Sequence, residues 1–242
     1  MLAIIGGTGL TELPGFKEEH TEGVQTPWAR ERVLIATGTL EGQRISFVPR
    51  HGEGHTVPPH RINYRAIIDA LQQLEVGGVI AVNAVGGIHE KLGPGGLCIP
   101  DQIIDYSWGR EHTFHNGDKE SVAHVDFTRP YDEGMRQRLL RAADECGLDT
   151  LGHGVYGCTQ GPRLETAAEV RRLQRDGCDM IGMTGMPEAA LAREAGLAYA
   201  CIALSVNRAA GLSDEEITME GIRAVLSSGM ERVHRILCSA VR

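Results

Sequence analysis

The chain has 242 residues, 42% of them hydrophobic but only 5% aromatic, and a net charge of −8. That length suits one α/β domain whose core is filled by Leu, Ile, Val and Ala, and no linker, repeat or long run of like charge divides it. The negative balance argues against general nucleic-acid binding and against adhesion to an anionic membrane, so any anion site has to be a local pocket. No apolar run approaches the length of a membrane span. The six cysteines, Cys98, Cys146, Cys158, Cys178, Cys201 and Cys238, are scattered without a Cys-x-x-Cys pair. They read as buried free thiols, and with no basic leader before Leu2 the expected location is the cytoplasm.

Taken in order, Leu2 to Ile5 reads as a buried strand running into Gly6-Gly7-Thr8-Gly9-Leu10. The third glycine of a dinucleotide fingerprint would fall at Glu12, and there is no Lys-Ser/Thr pair to make a phosphate-binding P-loop. Two readings remain: a loop whose backbone N–H groups and Thr8 approach a small anion, or a tight turn needing unusual dihedrals. Arg32 to Ala36 and Arg44 to Val48 read as strands joined by a turn at Glu41-Gly42. The second delivers Pro49-Arg50-His51-Gly52-Glu53-Gly54-His55, in which adjacent Arg50 and His51 suit an oxyanion. His51, His55, His60 and Glu53 also resemble a metal cluster in composition. Against that, the glycines break the helix that two ligands four residues apart require, and histidines in a polar loop often cap or solvate it.

Ile62 to Glu75 carries a helical apolar stripe, and Gly78 to Val82 is a fully apolar strand ending in a small-residue loop, Asn83-Ala84-Val85-Gly86-Gly87. Leu97 to Ile104 is read as a strand interrupted at Pro100. Asp105 to Tyr131 lacks a period, is polar and contains His112, His115 and His124, so it reads as a long functional loop. Glu133 to Cys146 is a helix, Gly154 to Cys158 a strand, and Thr166 to Arg175 the next helix. The stretch from Cys178 to Gly196 reads as a short strand that stops at Met183 and Thr184 and turns through Gly185 into a helix, with Pro187 in its first turn. A helix N-terminus there welcomes an anion, with the Thr184 hydroxyl and the apolar Met183 beside it; the bland alternative is an ordinary strand-to-helix corner. Ala198 to Val206 is a strand ending at Asn207-Arg208-Ala209. Ser213 and Glu216 have the spacing of a capping box, and the last helix runs toward Val241. Strands alternating with helices predict an α/β fold: one domain, residues 1–242, with a central mixed sheet flanked by helices.

Six pieces of this pattern, in order along nearly the whole chain, resemble the trimeric nucleoside phosphorylases that act on 5′-methylthioadenosine and on purine nucleosides. They are Gly6-Gly7-Thr8-Gly9-Leu10, Arg50-His51-Gly52, Asn63-Tyr64, Asn83-Ala84 with Gly86-Gly87, Gly161-Pro162-Arg163, and Met183-Thr184 with Pro187-Glu188. The resemblance implies inorganic phosphate held by Thr8, Arg50, His51, Asn83, Ala84 and Thr184, ribose packed on Met183, and no metal or organic cofactor. It also implies a homotrimer in which a neighbour lends His124 to the 5′ pocket, with Met219 near the wall of that pocket. The implied chemistry is attack of phosphate on the anomeric carbon as the purine leaves, a matter of positioning and electrostatics that needs no nucleophilic side chain.

Two departures from the adenine-selective branch bear on the base. Asn207 and Ala209 stand where that branch has two aspartates, and Glu165 matches the glutamate that purine nucleoside phosphorylases set against N1–H. An asparagine amide serves a 6-oxo group and a protonated N7, whereas a carboxylate facing N1 of adenine is left unpaired, at about 1–3 kcal/mol. Glu165 alternatively does no more than open the helix that follows, where acids are favoured. Leu164 replaces a phenylalanine of the relatives against the base. With apolar residues such as Met219 and Ile222 for a 5′-methylthio group, the expected substrate is 5′-methylthioinosine. Methylthioadenosine or inosine phosphorolysis, a metal-dependent hydrolase and a non-catalytic nucleoside-binding module are the alternatives.

Overall fold

The structure is a computed structural model that describes residues 1–115, 117 and 124–242. Among the described residues the sheet has ten strands: β1 (Leu2–Gly6), β2 (Lys17–Val24), β3 (Val33–Leu40), β4 (Gln43–Pro49), β5 (Gly78–Gly87), β6 (Leu97–Cys98), β7 (Gln102–Asp105), β8 (Val155–Cys158), β9 (Met180–Gly182) and β10 (Tyr199–Arg208). The helices are α1 (Tyr64–Gln73), α2 (Glu133–Glu145), α3 (Ala167–Arg175), α4 (Gly185–Glu194) and α5 (Met219–Val241). The sheet is mixed, as expected: parallel pairs join β1 to β4 and β5, β5 to β10, and β7 to β8 to β9, while β2, β3 and β4 form an antiparallel meander.

Helices cover both faces. On one, Ile68 and Leu71 of α1 and Leu191 of α4 share a buried cluster with Ile5 and Val79; on the other, Leu139 of α2 and Ile236 and Leu237 of α5 pack on Ile4, Ile80 and Ile202. Each central strand therefore buries both sets of its alternating side chains, which is why these strands are apolar throughout rather than alternating. Val170 and Leu173 of α3 close a third cluster on Ile181 and Ala209.

The feature that makes a site is a split in the sheet. β10 occupies one edge of β5 from Val79 to Gly87. The other edge pairs with β1 over Gly78–Ala81 and then, antiparallel, with β9 at Gly86 and Gly87. Between these two partners, Val82 to Val85 border a gap, and the chain leaving β1, the chain leaving β4 and the chain leaving β9 all arrive there. On the β10 side a bulge between Ser205 and Asn207 re-aims the strand beside the same gap.

Several expectations are corrected. β2 was not foreseen because Lys17-Glu-Glu-His-Thr-Glu is polar and exposed, the composition of an edge strand protected by charge. Asn83 to Gly87 is not a loop but the second half of β5, held in extended form by β10 and β9. The run interrupted at Pro100 is two strands with different partners, β6 on β10 and β7 on β8. No helix starts at Ser213: α5 begins after Thr218, whose side chain accepts from Gly221 N. The capping box lies elsewhere, at Thr166 and Glu169, where the side chain of each accepts from the other's backbone N–H. Of the long polar loop, residues 116 and 118–123 lie outside the described residues.

Candidate active site

One cavity of about 390 Å³ fills the gap, and eleven of the thirteen residues singled out from the sequence line it. Its lining includes Thr8, Arg50, His51, Ala84 and Thr184, the residues read as an anion group, together with Leu164, Glu165, Asn207 and Ala209, read as a base group, and Met183 and Met219. Asn83 is buried immediately behind, donating to Thr184 Oγ1 (2.9 Å) and to Tyr156 Oη (3.2 Å). His124 is exposed and is not part of the lining. Two neighbouring clefts adjoin it, one of about 440 Å³ sharing Glu165 and one of about 610 Å³ sharing Val206, Asn207, Ile217 and Ile222.

In the first group, Thr184 stands at the corner between β9 and α4. Its hydroxyl accepts from Asn83, which leaves its own O–H to donate. Met186 is extended (φ −118°, ψ 142°), so the regular turns of α4 begin at Pro187. Arg50 is sealed in. Its Nε and Nη2 donate to the two carboxylate oxygens of Glu188, both at 2.9 Å; Nη1 donates to Val82 O (2.8 Å), and Nη2 also reaches Asn83 Oδ1 (3.4 Å). Glu188, with no exposed surface, takes a further bond from Tyr199 Oη (2.8 Å). Burial opposes the charge on Arg50, but the Glu188 carboxylate outweighs it and holds the guanidinium above its ordinary pKa. Gly7 packs against this pair: a Cβ there would sit 2.6 Å from Arg50 Nη1 and 2.3 Å from Val82 O.

His51 donates Nδ1–H to Val57 O (2.8 Å), because a carbonyl can only accept, and its ring lies 4.1 Å from that of His55. Burial chiefly, then Arg50 and His55, push its pKa down to about 4 against the bond to Val57, so the ring is neutral with Nε2 unprotonated. Among the described residues no group of three or more His, Cys, Asp or Glu side chains is placed to hold a metal ion. The buried thiol nearest the corner, Cys158, is pushed up to about 12 by burial and is no nucleophile at neutral pH.

In the second group, Thr159 donates to Glu165 Oε1 (2.6 Å) and so orients the carboxylate, leaving Oε2. Asn207 Nδ2 donates to Arg208 O (2.7 Å), which anchors the amide and leaves Oδ1 as an acceptor. Residue 161 is a glycine with φ +61°, and a Cβ there would sit 2.4 Å from Met183 Sδ, so any other residue would displace the Met183 side chain from this position.

Glu188, Tyr199, Thr159 and Arg110 are the contributors that sequence reasoning missed. Arg110 is buried in the aperiodic segment after β7 and directs all of its donors at the two arms of the site. It bonds Met183 O (2.8 Å), Met186 O (2.6 Å), Thr159 O (3.1 Å), Gln160 O (2.8 Å) and Gln160 Oε1 (3.1 Å). The one available signal was an arginine in a segment without other reason to bury one.

A sheet split lined by a hydroxyl, an imidazole, a carboxylate and an amide defines a small-molecule site for an anion and a polar ring. The model of the phosphorylase superfamily matches residues 1–242, and the chain belongs to that family. Within it, the chain is 52% identical over 235 residues (97% of this chain, 96% of the relative) to a probable S-methyl-5′-thioinosine phosphorylase of Pseudomonas syringae. It is 41% identical over 245 residues (99% and 91%) to a 6-oxopurine nucleoside phosphorylase of Pyrococcus furiosus. Among solved structures, the methylthioadenosine phosphorylase of Schistosoma mansoni in complex with adenine superposes with a TM-score of 0.93 at 31% identity, covering 99% of this chain and 90% of that one.

Proposed function

We propose that this enzyme cleaves S-methyl-5′-thioinosine with inorganic phosphate, releasing hypoxanthine and 5-methylthioribose 1-phosphate. The class follows from the family: it is a nucleoside phosphorylase, hence a pentosyltransferase. Relatives at 51–55% identity carry the thioinosine name, which supports the substrate.

The observation that carries the reading is Glu165, oriented by Thr159, in the lining of the same cavity as Asn207 and Ala209. Glu165 Oε2 accepts N1–H of a 6-oxopurine. Adenine has only a lone pair at N1 and would leave the carboxylate unpaired, at about 1–3 kcal/mol. Asn207, held through Nδ2, offers its remaining N–H to the 6-oxo group and Oδ1 to N7–H once N7 of the departing base has taken a proton from solvent. The sugar lies on Met183, and Ile217, Met219 and Ile222 provide apolar surface for a methylthio group. Phosphate, between Thr8, His51, Ala84 and Thr184 with Arg50 and Asn83 behind, attacks the anomeric carbon from the face opposite the base. The C1′–N9 bond breaks and its electron pair leaves with the purine, so positioning and charge stabilisation supply the rate.

Phosphate is a co-substrate, and neither a metal nor an organic cofactor takes part. Six free thiols support a cytoplasmic enzyme, where it returns purine for reuse. The exposed Met219 in the cavity lining supports a neighbour's loop, carrying His124, completing the 5′ pocket in a homotrimer.

The test is base release from methylthioinosine, methylthioadenosine and inosine, with and without phosphate. Turnover should require phosphate and favour methylthioinosine, and Asn207→Asp should shift the 6-oxo to 6-amino preference by about tenfold toward adenine. A preference of the native enzyme for methylthioadenosine overturns the assignment of the base site, and turnover without phosphate overturns the reaction.

A further inference from the structure

The phosphate end of the cavity is electrically neutral when empty. Its one permanent cation, Arg50, is matched by Glu188, and four of the five guanidinium N–H groups are committed to Glu188, Val82 O and Asn83. The remaining titratable groups lining the cavity are His51, His55 and Glu165. His51 already uses Nδ1–H on Val57 O, so the neutral ring, which lines the cavity, has only the lone pair of Nε2 left to offer whatever binds. A phosphate dianion, or a sulfate, presents oxygens that are acceptors. Lone pair against oxyanion is repulsive, and a doubly charged ion in a neutral, partly dry pocket is costly.

On the reading of this end as the phosphate site, we infer that the anion binds together with a proton, taken from solvent onto His51 Nε2, which then donates to an anion oxygen. The imidazolium adds the positive charge that Arg50, neutralised by Glu188, does not supply, and it converts a repulsive contact into a charge-assisted hydrogen bond. The low pKa of His51 in the empty site, set chiefly by burial with Arg50 and His55 adding to it, means this proton is absent before the anion arrives. By linkage, anion affinity falls as pH rises.

The experiment is calorimetric titration of the full chain with phosphate and, separately, with sulfate, at about pH 8.5 in two buffers of different ionisation enthalpy; the buffer dependence of the heat counts protons taken up. Sulfate cannot carry a proton itself at that pH, so uptake with sulfate reports a protein group. Uptake close to one proton with both anions, abolished in His51→Gln and retained in His55→Gln, is the expected result. No uptake, uptake with phosphate alone, or loss of uptake only in His55→Gln overturns the inference. Absence of binding by either anion strikes at the phosphate-site reading instead. Should His51→Gln fail to fold, histidine ring NMR of the native chain decides: sulfate should move one ring to its protonated position at the same pH, and an unchanged spectrum under saturating sulfate is the contrary result.

Discussion

Glu188 accepts two bonds from Arg50 and one from Tyr199 in a site closed to water, so its removal leaves a buried cation without a counter-charge. Glu188→Ala should cost about 3–5 kcal/mol of stability, measured by denaturant unfolding. Tyr199→Phe, which removes one hydrogen bond and keeps the packing, should cost only about 1 kcal/mol. His51 gives stability a pH signature in anion-free buffer. Its pKa is about 4 in the folded chain against an ordinary 6.5, so below 6.5 the unfolded chain takes a proton that the folded chain refuses. The stability it supports is present above pH 6.5 and is lost as pH falls toward 4, and His51→Gln should flatten the unfolding midpoint over that window. The roles of Glu188 and Tyr199 were invisible in the sequence because Arg50 lies 138 positions before its partner. Pro187-Glu188 stood out as a motif without a physical reason attached to it.

At the scale of elements, the cavity exists because β5 changes partner along one edge, and because the loops after β8 and β9 are tied to each other. Arg110 is that tie, bonding the carbonyls of Thr159 and Gln160 on one arm and of Met183 and Met186 on the other. Arg110→Met strands several buried carbonyls at once. A loss of about 3 kcal/mol or more in denaturant unfolding is expected, with a raised KM for the nucleoside because Met183 and Glu165 both lose their support. Unchanged stability would show that the clamp is redundant. Most of these elements were legible: α1, α2, α3, β8 and β10 lie within two residues of the pattern read from periodicity. The exceptions share a cause. β2, the second half of β5 and the start of α5 depend on which neighbour a segment pairs with or caps against, and polar or small residues carry little record of that.

For the whole molecule, the net charge of −8 leaves anion binding to local geometry, and the split sheet supplies it. The proposed homotrimer predicts a sedimenting particle three times the 26.2 kDa of one chain. Substitution of His124 should weaken methylthio-nucleoside binding while leaving the phosphate dependence of turnover unchanged, since the proposed trimer puts His124 at the 5′ end of the sugar, away from the proposed phosphate site. A fully active single chain in the ultracentrifuge would remove the neighbour from the account.

The amino-acid order alone determined the α/β class, the single domain and the residue types that meet at the cavity, because strand and helix periodicity and small-residue corners are local signals written in consecutive positions. Tertiary structure alone decided that Arg50 is neutralised by Glu188, that Thr159 orients Glu165 and that Arg110 binds the two arms together. The first and last are contacts between residues far apart in the chain, which only the closing of the sheet brings within hydrogen-bond reach; Thr159 and Glu165, six positions apart, meet through the turn between them, which no periodicity records.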